Sequence, residues 1–132
     1  RNLSTLLMAS TFSLPPGIPG LSENVEAISI VDKFLEHSRV LIFCNGGDEK
    51  YYITSADWMT RNLDRRVEIA CPIYDKDVQR EIKDIIELQL RDNVKARIIN
   101  AEQDNQYVRR NGEQKIQSQN EIYKYYLRKL TN

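Results

Sequence analysis

Residues 39–55 constrain this chain most. Arg39-Val40-Leu41-Ile42-Phe43-Cys44 is an apolar run behind one arginine, Asn45-Gly46-Gly47-Asp48 supplies turn residues, and Lys50-Tyr51-Tyr52-Ile53-Thr54-Ser55 reads as a return strand. A β-hairpin follows, so the fold must contain a sheet. Val67-Glu68-Ile69-Ala70-Cys71-Pro72-Ile73 alternates as a further strand that ends near Pro72. Residues 75–91 carry helical periodicity, with Val78, Ile82, Ile85, Ile86 and Leu90 on one face. Residues 95–100 read as a short strand, and residues 105–112 as a polar, turn-rich stretch. Residues 119–130 read as a terminal helix with Ile122, Tyr125, Tyr126 and Leu130 inward. Residues 56–66 form a loop with one helical turn.

On the N-terminal side, residues 6–14 read as a strand. It is stopped by Pro15-Pro16-Gly17-Ile18-Pro19-Gly20, which forces a rigid, extended loop. Ser22 is an acceptable helix N-cap, with Glu23 and Glu26 favoured by the macrodipole. The i, i+3, i+4 spacing of Val31, Phe34 and Leu35 predicts a helix up to about Glu36, although the β-rich Ala27-Ile28-Ser29-Ile30-Val31 leaves a strand open. Strands and helices therefore mix in a single α/β domain.

A chain of 132 residues, 41% of them hydrophobic, can bury a core without disulfide or metal staples. Nineteen basic and nineteen acidic side chains cancel, which argues against a broad polyanion-coating or nucleic-acid-binding surface but leaves room for a focused anion site. Cys44 and Cys71 are isolated and there is one histidine, so no zinc site and no other metal ligand set is expected. The two cysteines read as buried thiols in a reducing, cytoplasmic protein. The apolar run over residues 3–14 is too short to span a bilayer, which needs about 20 residues, and reads as a buried strand in preference to a processed targeting segment or cloning remnant. Arg1 in place of methionine implies a start inside a longer reading frame or after processing.

Three polar stretches sit at strand ends, where α/β folds assemble ligand sites. They are His37-Ser38-Arg39, Thr54-Ser55-Ala56-Asp57-Trp58, and Arg61-Asn62-Leu63-Asp64-Arg65-Arg66. Phosphoryl transfer needs cations on phosphate oxygens and a group that relays a proton. Arg39, Arg61, Arg65 and Arg66 offer the first and His37 the second. Blander readings stand beside these. His37 can be a helix C-terminal cap, and Asp57, Arg61 and Arg65 at i, i+4, i+8 can be a structural ion ladder. Asp64 and Glu68 can neutralise Arg65 and Arg66, and Trp58 is read as core. The hairpin is expected to put residue 37 and residues 55–57 at different ends of one strand pair. The loop over residues 56–66 must then cross back for its arginines to face the cleft at His37.

Two strings go further. Pro16-Gly17-Ile18-Pro19-Gly20-Leu21-Ser22-Glu23-Asn24, followed by Ser29-Ile30-Val31-Asp32-Lys33-Phe34-Leu35-Glu36-His37-Ser38-Arg39, resembles the class 1 polyphosphate kinases. So does Ser55-Ala56-Asp57-Trp58-Met59-Thr60-Arg61-Asn62-Leu63-Asp64-Arg65-Arg66-Val67-Glu68. The resemblance runs from Leu14 to the end and weakens in the last third. It implies a phospholipase-D-like α/β fold, a mixed sheet flanked by helices, as the second of two related C-terminal domains. In that family the first domain carries a histidine phosphorylated by ATP, and the second supplies another histidine to the same cleft, matched here by His37.

The resemblance implies that the full enzyme moves the terminal phosphate of ATP onto polyphosphate, reversibly. Magnesium would be its cofactor, with ligands outside this chain. Partners implied are ATP, polyphosphate and the remaining domains, with a homo-oligomer for the full-length protein. The implied location is cytoplasmic, with peripheral association at the inner membrane left open. The family's Arg-Gly pair before the Pro-Gly loop falls on Ala9 and Ser10, which marks residues 1–13 as divergent or non-native. Two other functions compete: a phospholipase-D-like phosphodiesterase, against which the His37-Ser38-Arg39 order counts, and a non-catalytic polyphosphate-binding module.

Overall fold

A computed structural model describes residues 16–109 and 112–131. The sequence-predicted strand over residues 6–14 and the Ala9–Ser10 departure lie outside the described residues. The elements run β1 (Ala27–Ile30), β2 (Val40–Phe43), β3 (Lys50–Thr54), α1 (Thr60–Arg65), β4 (Ala70–Ile73), α2 (Lys76–Leu90), β5 (Ala96–Ile99) and α3 (Ser118–Thr131). The α/β class expected from the sequence holds. In place of one mixed sheet, the described strands form two small antiparallel sheets, β1-β5 and β2-β3-β4.

The hairpin forms as expected, Val40 opposite Ile53 and Phe43 opposite Lys50. Its turn needs left-handed backbone, which Asn45, Gly46 and Gly47 supply with φ of 45°, 67° and 102°. β4 starts at Ala70, later than the alternation suggested, and runs through Pro72. A proline is tolerated there because β4 is the edge strand.

The helix expected to reach Glu36 does not form. Residues 27–30 pair with β5 instead, Ala27 against Ile99 and Ile30 against Ala96. Cross-strand pairing buries Ala27 and Ala96, which a short helix would not do, so tertiary pairing overrides a weak helical spacing. The Ser22 hydroxyl accepts from the Ile18 N–H at 3.0 Å, closing the Pro-Gly segment into a compact turn rather than an extended loop.

α2 begins at the Asp75 N-cap, whose carboxylate accepts from the N–H groups of Asp77 and Val78. It packs on α3 through Tyr125 Oη donating to Asp84 (2.9 Å) and the Lys129–Glu81 ion pair (2.5 Å). Leu130, expected inward, is 85% exposed. Both cysteines are exposed rather than buried. Cys71 lies on the edge strand and Cys44 at the hairpin turn.

Candidate functional site

Antiparallel pairing decides where the three polar stretches go. The residue before β2 and the residues after β3 share one end of the hairpin, and the Thr54 N–H donates to the Arg39 carbonyl at 2.9 Å. The expectation that residues 37 and 55–57 lie at different ends is therefore corrected: a hairpin returns its chain to where it started. Residues 56–59 reach the cleft beside His37 directly, whereas Arg61, Arg65 and Arg66 are not among its lining residues. Ser55 carries the same end across to β4, its N–H donating to the Ile69 carbonyl and its Oγ accepting from the Ile69 N–H, both at 3.0 Å.

His37 is exposed and lies in the irregular segment between β1 and β2, not at a helix end. With Arg39, Asp57 and Trp58 it lines a cleft of about 670 Å³. Trp58, read as core, is 48% exposed at this cleft, because it precedes α1 on the loop rather than facing a helix layer. Local bonds set the backbone around the imidazole. Arg39 Nη1 donates to the His37 carbonyl at 3.3 Å, and the Ser38 N–H and hydroxyl both donate to Glu36 Oε1 at 2.9 and 2.6 Å.

Arg39 Nε also pairs with Asp57 Oδ1 at 2.5 Å. That hydrogen bond raises the Arg39 pKa and holds the Asp57 carboxyl below the usual aspartate range, with the charges of Arg61 and Arg66 adding to the lowering. Asp57 lies outside α1 and its partner is Arg39, so it does not head an i, i+4, i+8 ladder. Arg61 and Arg65 stand on α1, and Arg66 is its C-cap. Glu68 accepts from the Ser55 hydroxyl and from Asn62 Nδ2 (2.8 Å), and those bonds depress its pKa, with Arg66 and Arg39 contributing through their charge. The region thus carries Arg39, Arg61 and Arg66 against Asp57 and Glu68. The sequence reading placed Asp57 in a ladder with Arg61 and Arg65, and Glu68 as a neutraliser of Arg65 and Arg66. Their order in the chain does not reveal that Asp57 reaches back 18 residues to Arg39.

Among the described residues no group of three His, Cys, Asp or Glu side chains lies close enough to hold a metal ion.

Residues 4–119 match the family described as polyphosphate kinase C-terminal domain 2. The chain belongs to that family. It is 50% identical over 120 residues to the polyphosphate kinase of Escherichia coli strain K12, covering 91% of this chain and 17% of the relative. The Vibrio vulnificus strain YJ016 polyphosphate kinase is 48% identical over the same shares. Among solved structures, the Porphyromonas gingivalis polyphosphate kinase superposes with a TM-score of 0.82 at 46% identity, over 87% of this chain and 18% of that one. The family expected from the two strings is the one found, and a phospholipase-D-like α/β domain is in keeping with that neighbour. The chain spans about a sixth of the length of the polyphosphate kinases it matches.

Proposed function

We propose that this chain supplies one wall of the phosphoryl-transfer site of a polyphosphate kinase that moves the terminal phosphate of ATP onto polyphosphate. The observation that carries the reading is His37, exposed on a cleft and braced at its carbonyl by Arg39, within a family-matched segment. In this reading the terminal P–O bond of ATP breaks as a P–N bond forms on a histidine of the neighbouring domain, and ADP leaves. The P–N bond then breaks as a terminal oxygen of polyphosphate bonds to phosphorus.

His37 hydrogen-bonds the transferring phosphate and moves a proton at its oxygen. Arg39, Arg61, Arg65 and Arg66 supply positive charge toward the non-bridging oxygens. Magnesium supplies charge neutralisation on the nucleotide phosphates, held by groups outside this chain. The full-length enzyme is taken to be a cytoplasmic homo-oligomer, with peripheral association at the inner membrane left open. Among the described residues no helix is long and apolar enough to cross a membrane.

The test is His37→Ala in the full-length enzyme, read as synthesis rate and melting temperature on the same preparation. Loss of a positioned acid/base group lowers the rate by about 10²–10⁴. An exposed side chain away from packing changes stability by about 0.5 kcal/mol or less. His37→Gln keeps hydrogen bonding without titrating, so it retains nucleotide affinity better than rate. A His37→Ala enzyme with near-normal synthesis would sink the reading.

A further inference from the structure

We propose that Gln119 is a positioning residue for His37, acting through the backbone of Phe34. Residues 31–38 run between β1 and β2 outside both strand ladders, so no sheet pairing fixes their backbone. Burial does not hold this segment, because Phe34 is 74% and Leu35 81% exposed. The start of α3 holds it instead. Gln119 Nε2 donates to the Phe34 carbonyl at 2.7 Å, and Gln119 Oε1 accepts from the Phe34 N–H at 3.1 Å. One side chain thus pairs with both backbone groups of one residue, as a neighbouring strand would. The partners fix the amide orientation, since a flipped amide would set donor against donor and acceptor against acceptor.

A second tie lies two residues away on each side. Gln117 Nε2 donates to Asp32 Oδ2 at 2.6 Å. The anchor itself is rigid, because the N–H of Ser118, the buried first residue of α3, donates to the fully buried Asp92 at 2.7 Å. His37 stands three residues beyond the clamped Phe34, and Arg39 fixes the other end of the segment through Asp57. The imidazole is therefore carried on a strap pinned at both ends, and the Phe34 end depends on Gln119. Nothing in the sequence singles out this glutamine, which sits in a polar run with no chemistry of its own.

The inference rests on the role given to His37 above, and the test separates the two. In the full-length enzyme Gln119→Met keeps length and helix propensity while removing both bonds to Phe34. We expect kcat for polyphosphate synthesis to fall about tenfold, since displacement of a reacting group by about 1 Å costs up to about 10²-fold. The KM for ATP should change less than kcat, and hydrogen exchange should quicken in the peptide covering residues 31–39. In a His37→Gln background, Gln119→Met should add no further loss, as expected for residues acting through one group. Gln119→Glu keeps the acceptor for the Phe34 N–H but sets a carboxylate oxygen against the Phe34 carbonyl, so its kcat should fall at least as far as that of Gln119→Met. It decides the matter should the methionine variant fold poorly.

A Gln119→Met enzyme within twofold of wild-type kcat, alongside an inactive His37→Ala enzyme, overturns the positioning role and leaves the proposed function standing. A full additive loss in the His37→Gln background overturns it equally. Near-normal His37→Ala activity overturns both.

Discussion

At Arg39 a single guanidinium reaches Asp57 with Nε and the carbonyl of His37 with Nη1. The planar fork makes this possible, because its donors point in fixed, different directions. A lysine offers one compact ammonium on a flexible stem and cannot hold both partners in that geometry. Arg39→Lys in the full-length enzyme is therefore expected to lower the synthesis rate about tenfold, by letting the His37 backbone drift. Its melting temperature should hardly move, since a solvent-screened ion pair adds little to stability. The sign with pH follows from Asp57, whose carboxyl Arg39 depresses. Its contribution is complete above the unfolded value of about 3.9 and is lost as pH falls through the lower folded value. Rate measurements near neutrality thus see the pair intact. If Arg39→Lys matched wild type in rate, the brace on His37 would be incidental.

Between elements, Asp92 acts as a junction where α2, β5 and α3 meet. Its Oδ1 accepts from the N–H groups of Val94, Lys95 and Ala96 at 2.9, 2.7 and 3.1 Å, and its Oδ2 from Ser118. Burial raises its pKa, but the bonds from Ser118, Lys95 and Val94 outweigh burial and leave it lowered. Asp92→Asn keeps one acceptor but turns an N–H₂ toward the Ser118 N–H, leaving buried donors opposed. The expected cost is about 1–3 kcal/mol, read by denaturant unfolding. Because the folded pKa is depressed, the gap between wild type and variant is full above about pH 4 and closes as pH falls further. A gap independent of pH down to strong acid would show that the charge at Asp92 does nothing. Sequence alone gave no hint of this junction, because its bonds go to backbone N–H groups that any residue carries. The β2–β3 hairpin and α2 were legible for the opposite reason: strand composition, turn residues and helical periodicity are local. Pairing of β1 with β5 joins segments nearly seventy residues apart, and no local pattern at Val31, Phe34 and Leu35 records it. In the site, residue types were legible at His37 and Arg39, whereas the Asp57 and Gln119 contacts depend on which ends the sheet brings together.

Taken whole, the molecule presents an open cleft with a histidine on one wall. It is the only histidine in the chain. In the proposed reaction that residue assists, and the phosphorylated histidine belongs to a neighbouring domain; the polyphosphate kinases this chain matches are about six times as long. Electrostatic stabilisation of a transferring phosphoryl group also needs donors converging from several sides in a water-poor site. One wall with exposed Phe34, Leu35 and Trp58 does not exclude water. The purified 132-residue chain is therefore expected to make no polyphosphate from ATP and magnesium, at concentrations where the full-length enzyme does so readily. Circular dichroism of the same sample shows whether the fragment is folded, so that inactivity is not mistaken for unfolding. Robust synthesis by the folded fragment would mean that a complete acceptor site lies within these residues, and the division of labour between two histidines would have to be abandoned.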